Sequence, residues 1–178
     1  REAGFNRISF GVQDLDPQVQ TAINRVQSPA LIEEVYGWAR ELGFASINMD
    51  LILGLPHQNV RRLEKTLQAV IDWRPDRLAI FSYAHVPWMK KHQRLIREED
   101  LPDLGTRIEL GERVFEQLRG AGYVNIGLDH YARSDDELVL AQRNKTLWRN
   151  FQGYTDDAAN VLLGLGASSI SATPEAYF

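Results

Sequence analysis

The most constraining feature of this sequence is a pattern in which a helix ends at a glycine, an aromatic residue follows and a strand begins. It occurs three times, with the glycines at Gly4, Gly43 and Gly122. The first interval is 39 residues and the second is 79, close to twice as long. Glycine enters the left-handed conformation that caps a helix without a steric penalty. The pattern therefore predicts three helix-to-strand junctions built on left-handed glycines.

A further strand at residues 77–83 fills the longer interval, so the sequence alternates strands and helices. Helix starts are expected at Asp16, Ser28 and Asn59, which are residue types that cap helices well, and at Ser134, which would form a capping box with Glu137. Neighbouring parallel strands need a crossover, and a helix usually provides it. The sequence predicts an α/β protein in which residues 1–132 form four βα units of a barrel with parallel strands.

Residues 133–178 have a different pattern, with one capped helix and two strand-like segments at 147–154 and 161–167. We expect these elements to close the edge of the barrel. Residues 1–178 are then a single, partial barrel domain. The sequence opens in the middle of a helical pattern, which leads us to expect that it was cut from a longer protein.

Composition excludes several classes of protein. The 178 residues include no cysteine, so this segment alone can hold neither a disulfide nor a cysteine-ligated zinc ion or iron–sulfur cluster. The net charge of −4 and the pI near 5.6 argue against a nucleic-acid partner. The apolar runs are far shorter than the roughly 20 residues that cross a bilayer, so we expect no membrane association.

Polar residues at the ends of the predicted strands are the candidate functional groups, because ligands of parallel βα folds bind at the carboxyl ends of the strands. Asp50 is the most informative, since a carboxylate among apolar strand residues costs several kcal/mol unless it is hydrogen-bonded. Arg25 lies where the first crossover helix is expected to end and could fold back towards the same strand ends. The other candidates are Gln13, His85, Asp129 and His130.

These residues allow two kinds of site. Imidazole and carboxylate groups can ligate zinc or manganese in a barrel hydrolase, through Asp50, His85, Asp129 and His130. Guanidinium, carboxylate and amide groups can instead bind an amino-acid nucleoside, through Gln13, Arg25 and Asp50. The residues alone leave both alternatives open.

Six motifs occur in an order that resembles a known family. They cover residues 6–14, 24–27, 50–56, 83–87, 127–132 and 150–155. Together they resemble the oxygen-independent coproporphyrinogen III oxidases, also called coproporphyrinogen dehydrogenases, of the radical S-adenosylmethionine superfamily. The resemblance implies a partial radical-SAM-type (β/α) barrel, of which this chain would form the C-terminal half.

The family's activity is the oxidative decarboxylation of two propionates of coproporphyrinogen III to vinyl groups, which gives protoporphyrinogen IX in anaerobic haem biosynthesis. The resemblance implies two S-adenosylmethionine molecules, a 4Fe-4S cluster and an electron donor that the sequence does not identify. The N-terminal part that binds the cluster and a C-terminal helical domain are expected to be absent from this chain. We expect the full-length enzyme to be cytoplasmic and monomeric, and this fragment alone to be inactive.

Motif by motif, the resemblance also implies roles for residues. Gln13, Arg25, Asp50 and Ala84 fall on positions that contact S-adenosylmethionine. Arg25 suits the methionyl carboxylate, Asp50 a ribose hydroxyl or the ammonium group, and Ala84 contributes backbone beside the adenine. The substrate-side candidates are His85, Asp129, His130 and Gln152.

Residues 156–160 depart from the family pattern, which normally has a second threonine and later an acidic residue there. This departure weakens the substrate-side assignment of the preceding loop. Haem chaperones of the same superfamily are the main alternative, because they share the Gly-Val-Gln strand and the Asp strand that ends in Gly-Leu-Pro. Residues 24–27, 83–87 and 127–130 favour the oxidase.

Overall fold

A computed structural model describes residues 3–178, and these form two compact units, Arg1–Arg133 and Ser134–Phe178. The end of the first predicted helix falls partly on residues 1 and 2, which lie outside the described residues. The expectation that residues 1–178 form a single partial barrel domain stays a prediction. The expectation that residues 133–178 close the barrel edge stays a prediction.

The first unit contains five strands and four α-helices among the described residues. The strands are β1 (Arg7–Gln13), β2 (Ser46–Leu53), β3 (Arg77–Ser82), β4 (Tyr123–Gly127) and β5 (His130–Arg133). The α-helices are α1 (Pro17–Ala22), α2 (Pro29–Glu41), α3 (Val60–Trp73) and α4 (Leu104–Gly120). Two short 3-10 helices, Lys91–Leu95 and Glu98–Asp100, lie between β3 and α4.

The strands form one sheet in the order β1-β2-β3-β5-β4. The first two pairings, β1 with β2 and β2 with β3, are parallel, as expected for strands joined by helical crossovers. The next two pairings are antiparallel because β5 lies between β3 and β4. The sheet therefore presents the carboxyl ends of β1, β2 and β3 along one edge.

One face of this sheet packs against the helices and forms the core. Alternate residues of β2 and β3 point to that face and are buried among residues of α3 and α4. The strand residues of the core include Met49, Leu51, Leu78 and Ile80, and the helix residues include Leu63, Leu67, Leu110, Val114 and Leu118. The residues between them in each strand therefore face away from the core.

Three of the four predicted helix starts form as predicted. The fourth differs, because Asp136 and not Ser134 caps the helix Glu137–Asn144, and the side chain of Asp136 accepts a hydrogen bond from the backbone N–H of Leu138. The side chain of Asp16 accepts hydrogen bonds from the first turn of α1, and Ser28 and Asn59 cap α2 and α3 in the same way. The three junction glycines have φ angles of +89° at Gly4, +72° at Gly43 and +86° at Gly122. The predicted left-handed glycines are confirmed.

The structure differs from the prediction after β4. Four βα units with parallel strands were expected, but the chain reverses at Leu128 and Asp129, and β5 returns antiparallel between β3 and β4. The reversal uses positive φ angles of 152° at Gly127 and 44° at Leu128. His130 therefore lies at the start of a returning strand and pairs with Ala79 in the middle of β3.

A polar cluster at the opposite, amino edge of the sheet joins α2 to β2 and β3. Nη1 of Arg40 lies 2.6 Å from Oδ2 of Asp76, and this carboxylate oxygen also accepts a bond from the backbone N–H of Ile47 at 2.8 Å. The guanidinium also donates to the hydroxyl of Tyr36 and to the backbone oxygen of Arg74. These contacts lie at the edge where a βα fold keeps its stabilising groups.

The second unit contains α5 (Glu137–Asn144) and a hairpin of β6 (Trp148–Asn150) and β7 (Gly153–Thr155), which forms a sheet of its own. The hairpin covers most of the first predicted strand-like segment and ends one residue beyond it, so this segment forms two short antiparallel strands. The second, residues 161–167, contains no strand and pairs only through an isolated bridge between Leu162 and Ala172. No helix in residues 3–178 has the length and apolar character to cross a membrane.

Candidate functional site

Asp50 lies on the face of β2 that points away from the helices. Its Oδ1 accepts a hydrogen bond from Nδ2 of Asn48 at 2.6 Å, and its Oδ2 accepts one from the hydroxyl of Ser9 at 3.2 Å. The amide of Asn48 also donates to the Ser9 hydroxyl at 2.7 Å. The predicted need of this carboxylate for hydrogen-bond partners is met by neighbours on its own face.

The environment of Asp50 changes its acidity. Partial burial raises the pKa of the carboxyl group above its ordinary value, and this effect outweighs the hydrogen bonds from Asn48 and Ser9, which lower it. The nearby His130 also acts to lower the pKa. The site thus holds a carboxylate acceptor in surroundings that favour a polar or cationic ligand beside it.

Gln13 and Arg25 come together over Gly11, the residue of β1 that pairs with Asp50. Nη2 of Arg25 donates to the backbone oxygen of Gly11 at 2.7 Å. A Cβ atom built on Gly11 would lie 2.7 Å from Nε2 of Gln13 and 3.3 Å from Nη2 of Arg25. Both side chains therefore occupy the space that the missing Cβ leaves open.

A single row of residues crosses the sheet at this level. Gly11 pairs with Asp50, Asp50 with Ala79, and Ala79 with His130. Paired residues of neighbouring strands point to the same face, so Asp50 and His130 lie on one face, about 10 Å apart along the row. The structure thus brings Gln13, Arg25, Asp50 and His130 to one side of the sheet.

His130 and Asp129 occupy the hairpin between β4 and β5. The ring of His130 packs edge-on against Phe81, with the ring centroids 5.9 Å apart. The backbone oxygen of Asp129 accepts a bond from the N–H of Ile80 at 2.7 Å, which anchors the hairpin to β3. This hydrogen bond holds Asp129 and His130 beside β3, where His130 pairs with Ala79, the same residue that pairs with Asp50.

The loop after β3 carries Ala84 and His85. Ala84 is exposed, and its backbone oxygen accepts a hydrogen bond from Nε2 of Gln93 at 3.0 Å. Nδ1 of His85 lies 3.1 Å from the hydroxyl of Tyr83, and Nε2 lies 4.0 Å from a carboxylate oxygen of Glu98. Both predicted residues follow the carboxyl end of β3, on the same edge as Gln13.

Gln152 belongs to the second unit. It lies in the turn between β6 and β7, where its side chain is exposed and its backbone N–H donates to Oδ1 of Asn150 at 2.8 Å. Its substrate-side role stays a prediction. Across residues 3–178, no group of three or more histidine, aspartate or glutamate side chains is arranged to hold a metal ion.

Three polar residues near the site were not identified from the sequence: Ser9 and Asn48 on the face of the sheet, and the buried Asp14. Ser9 and Asn48 each lie two residues before a residue of the row, so strand alternation alone places them on the same face and could have identified them. The buried carboxylate of Asp14, beside Gln13, accepts bonds from Nε2 of Gln58 at 2.7 Å and from the hydroxyl of Thr66 at 3.0 Å. No spacing rule predicts that contact.

Comparisons with known proteins define the class of fold. Residues 1–70 match the sequence model of the radical SAM superfamily. A solved structure, "Coproporphyrinogen III oxidase (HemN) from Escherichia coli is a Radical SAM enzyme", superposes with a TM-score of 0.94 at 45% identity, over 99% of this chain and 41% of that one. The chain has an α/β fold similar to part of that radical SAM enzyme, and the predicted fold class is confirmed.

The particular relatives are oxygen-independent coproporphyrinogen III oxidases. The one from Paracoccus denitrificans is 49% identical over 176 residues, and the one from Synechocystis is 46% identical over 177 residues, in both cases over 99% of this chain. The chain spans 39% and 38% of the length of these relatives. The predicted resemblance to this family is confirmed.

Proposed function

We propose that this chain is the part of an oxygen-independent coproporphyrinogen III oxidase that holds one S-adenosylmethionine molecule. The observation that carries the proposal is the meeting of Gln13 and Arg25 over Gly11, directly beside Asp50. The similarity to the named oxidases over 99% of the chain supports it. The reaction would be the conversion of two propionates of coproporphyrinogen III to vinyl groups, with loss of carbon dioxide.

The residues present fit an amino-acid nucleoside. The bond to Gly11 uses one of the five N–H donors of Arg25, so a bidentate contact with the ligand carboxylate is compatible with it. Asp50 accepts a bond from Asn48 at one oxygen and from Ser9 at the other, and a carboxylate has about four lone-pair sites, which leaves room for a ribose hydroxyl or an ammonium group. Gln13 adds an amide, and Ala84 adds backbone beside the base.

When bound, S-adenosylmethionine and the reduced 4Fe-4S cluster would supply the radical chemistry of the superfamily. The residues of this chain bind and orient. Arg25 fixes the amino-acid end of the ligand, Asp50 fixes the ribose side, and the loop at Ala84 fixes the base. Held at three separate points, the ligand would have one defined placement relative to the substrate.

His85, Asp129, His130 and Gln152 are proposed to face the substrate. The position of His130 in the same cross-strand row as Asp50 favours this role, because it puts the imidazole beside the nucleoside site. Coproporphyrinogen III carries propionate groups, for which a protonated imidazole is a suitable partner. Gln152 enters the proposal through the sequence resemblance alone.

The wider enzyme follows from the family. We propose two S-adenosylmethionine molecules per full-length enzyme and a cluster bound by polypeptide outside this chain, since the chain has no cysteine. An electron donor of unidentified type would reduce the cluster. The enzyme would be a cytoplasmic monomer, with neither a nucleic-acid nor a membrane partner.

The alternatives are less well supported. A haem chaperone shares the barrel, but the curated relatives are named as oxidases. For a metal-dependent hydrolase, the predicted ligands Asp50, His85, Asp129 and His130 do not form a metal-binding group in the described part of the chain. We therefore favour the oxidase.

An anaerobic assay with the full-length enzyme tests this function. With reductant, S-adenosylmethionine and coproporphyrinogen III, the enzyme should form protoporphyrinogen IX and release two equivalents of carbon dioxide. The 178-residue chain alone should form none, because it lacks ligands for the cluster. Tight haem binding without decarboxylation would identify a chaperone, and stoichiometric zinc or manganese in the purified fragment would identify a hydrolase.

A further inference from the structure

Two buried glutamines lie beneath the loops that carry candidate ligands. Gln20 keeps 4% and Gln93 keeps 9% of its surface exposed. Glutamine is normally exposed, and a buried carboxamide needs partners for its N–H donors and for its oxygen. Both side chains find these partners on the backbone of a loop, so each one ties a loop to the helix that carries the glutamine.

Gln20 braces the loop that contains Arg25. Its Nε2 donates to the backbone oxygens of Asp14 and Gln27, both at 2.9 Å, and its Oε1 accepts from the N–H of Gln27 at 3.1 Å. The backbone N–H of Arg25 donates to the carbonyl oxygen of Gln20 at 2.9 Å. The segment with Arg25 is therefore fixed to the chain that follows Gln13.

Gln93 braces the loop that contains Ala84. Its Nε2 donates to the backbone oxygen of Ala84 at 3.0 Å, and its Oε1 accepts from the N–H of Val86 at 2.6 Å. One carboxamide thus holds the peptide groups on both sides of His85. The loop stays in place although it forms no strand or helix there.

We propose that Gln20 and Gln93 are positioning residues that serve different parts of one ligand. Gln20 acts through Arg25 on the carboxylate end, and Gln93 acts through Ala84 on the base. The inference rests on the proposed function, because the two ends belong to the amino-acid nucleoside assigned to this site. Beyond the proposed function, the inference assigns a positioning role to two further residues and a different part of the ligand to each of them.

Because Gln20 and Gln93 are assigned to different parts of the ligand, a positioning role can be distinguished from a general effect on the stability of the fold. A loss of fold would weaken every ligand of the site to the same degree. A displaced Arg25 loop weakens only ligands that carry the carboxylate. A displaced Ala84 loop weakens every ligand that carries adenine.

The experiment uses the full-length enzyme with its cluster and two probes, S-adenosylhomocysteine and 5′-deoxyadenosine. Only the first has a carboxylate, whereas both contain adenine. The relevant site is the step of the binding isotherm that is lost for both probes after Asp50→Lys, because both probes contain the ribose that Asp50 is proposed to contact. Gln20→Met should weaken S-adenosylhomocysteine about tenfold and leave 5′-deoxyadenosine unchanged, and Gln93→Met should weaken both about tenfold.

Two controls keep the result interpretable. Gln68→Met changes an exposed glutamine of α3, whose side-chain amide donates a hydrogen bond to Oδ1 of Asp72, and should change neither affinity. Gln20→Asn and Gln93→Asn keep a polar group in each buried position and should give the same pattern if a methionine variant fails to fold.

Parallel losses for both probes in the Gln20 variants would overturn the proposal. An unchanged 5′-deoxyadenosine affinity in the Gln93 variants would also overturn it. If the unmodified enzyme binds neither probe, the proposed function itself fails, which is a distinct outcome.

Discussion

The guanidinium of Arg25 donates a hydrogen bond to the backbone oxygen of Gly11 at 2.7 Å. Arg25 lies in the loop between α1 and α2, and this bond holds its guanidinium against β1, the strand that pairs with the strand of Asp50. A side chain 14 residues away in sequence is thereby placed over the open position of a glycine. The predictions below test what this arrangement does.

Gly11→Ala should weaken S-adenosylmethionine binding with little effect on stability. The new Cβ atom would lie 2.7 Å from Nε2 of Gln13, so the ends of two flexible side chains must move, but no backbone has to shift. We expect about a tenfold loss of affinity in the full-length enzyme, measured by equilibrium dialysis. Gly37→Ala is the control, because no atom lies within 4 Å of its added Cβ and alanine favours the helix. Equal affinities for the two variants would contradict the prediction.

Arg25→Ala should remove a charge-assisted contact with the ligand carboxylate. The expected loss is on the order of 2 kcal/mol, or about 30-fold in Kd. The melting temperature should change little because Arg25 is exposed. Calorimetric titration measures the affinity, and Arg61→Ala, an exposed arginine of α3, provides the control. An unchanged Kd would remove Arg25 from the site.

Asp50→Asn should stabilise the protein at neutral pH while weakening ligand binding. The pKa of Asp50 in the folded protein lies above its ordinary value of 3.8, so the folded state binds the proton more tightly than the unfolded state. The free energy of unfolding therefore falls as the pH rises from 3.8 through the raised pKa, and the asparagine variant escapes this loss.

Thermal unfolding of both proteins between pH 4 and pH 7 measures the effect. The difference in melting temperature in favour of Asp50→Asn should grow as the pH rises through this interval and then become constant. If this difference in melting temperature decreases as the pH rises, the hydrogen bonds to Asp50 and not its burial determine the direction of its pKa shift.

Arg40→Ala should destabilise the fold without changing ligand affinity. It removes the partner of Asp76 at the amino edge of the sheet, where three further hydrogen bonds join the cluster. The expected cost is on the order of 2 kcal/mol. Arg113→Ala removes an exposed ion pair with Glu64 and should cost less than about 1 kcal/mol. Denaturant unfolding distinguishes the two, and similar costs would contradict this account of the amino edge.

Local rules predicted much of the fold. Helix starts at Asp16, Ser28 and Asn59 depend only on a side chain and the next turn, and the junction glycines depend only on their own φ angles. The parallel pairing of β1 and β2 accounts for the proximity of Gln13 and Asp50, but Asp50 lies within β2, three residues before its last residue, and not at the strand end where it was predicted. These features need little information from distant parts of the chain.

Features that depend on distant contacts were not predictable. The hairpin before His130 forms because β5 pairs with both β3 and β4, and the sequence Gly-Leu-Asp-His has no standard two-residue turn signal. The roles of Gln20 and Gln93 depend on which backbone groups the fold brings to each buried carboxamide. Neither a spacing nor a composition rule contains that information.

The central claim is that Gln13, Arg25 and Asp50 form one S-adenosylmethionine site of the enzyme. The most direct measurement is the number of labelled S-adenosylmethionine molecules that bind the full-length enzyme with its cluster, before and after Asp50→Lys. The lysine would place a cation where the ribose or ammonium group should lie. Binding of two molecules before and one after, with the protein still folded, is the predicted result. Two molecules bound at unchanged affinity after the substitution would contradict the account.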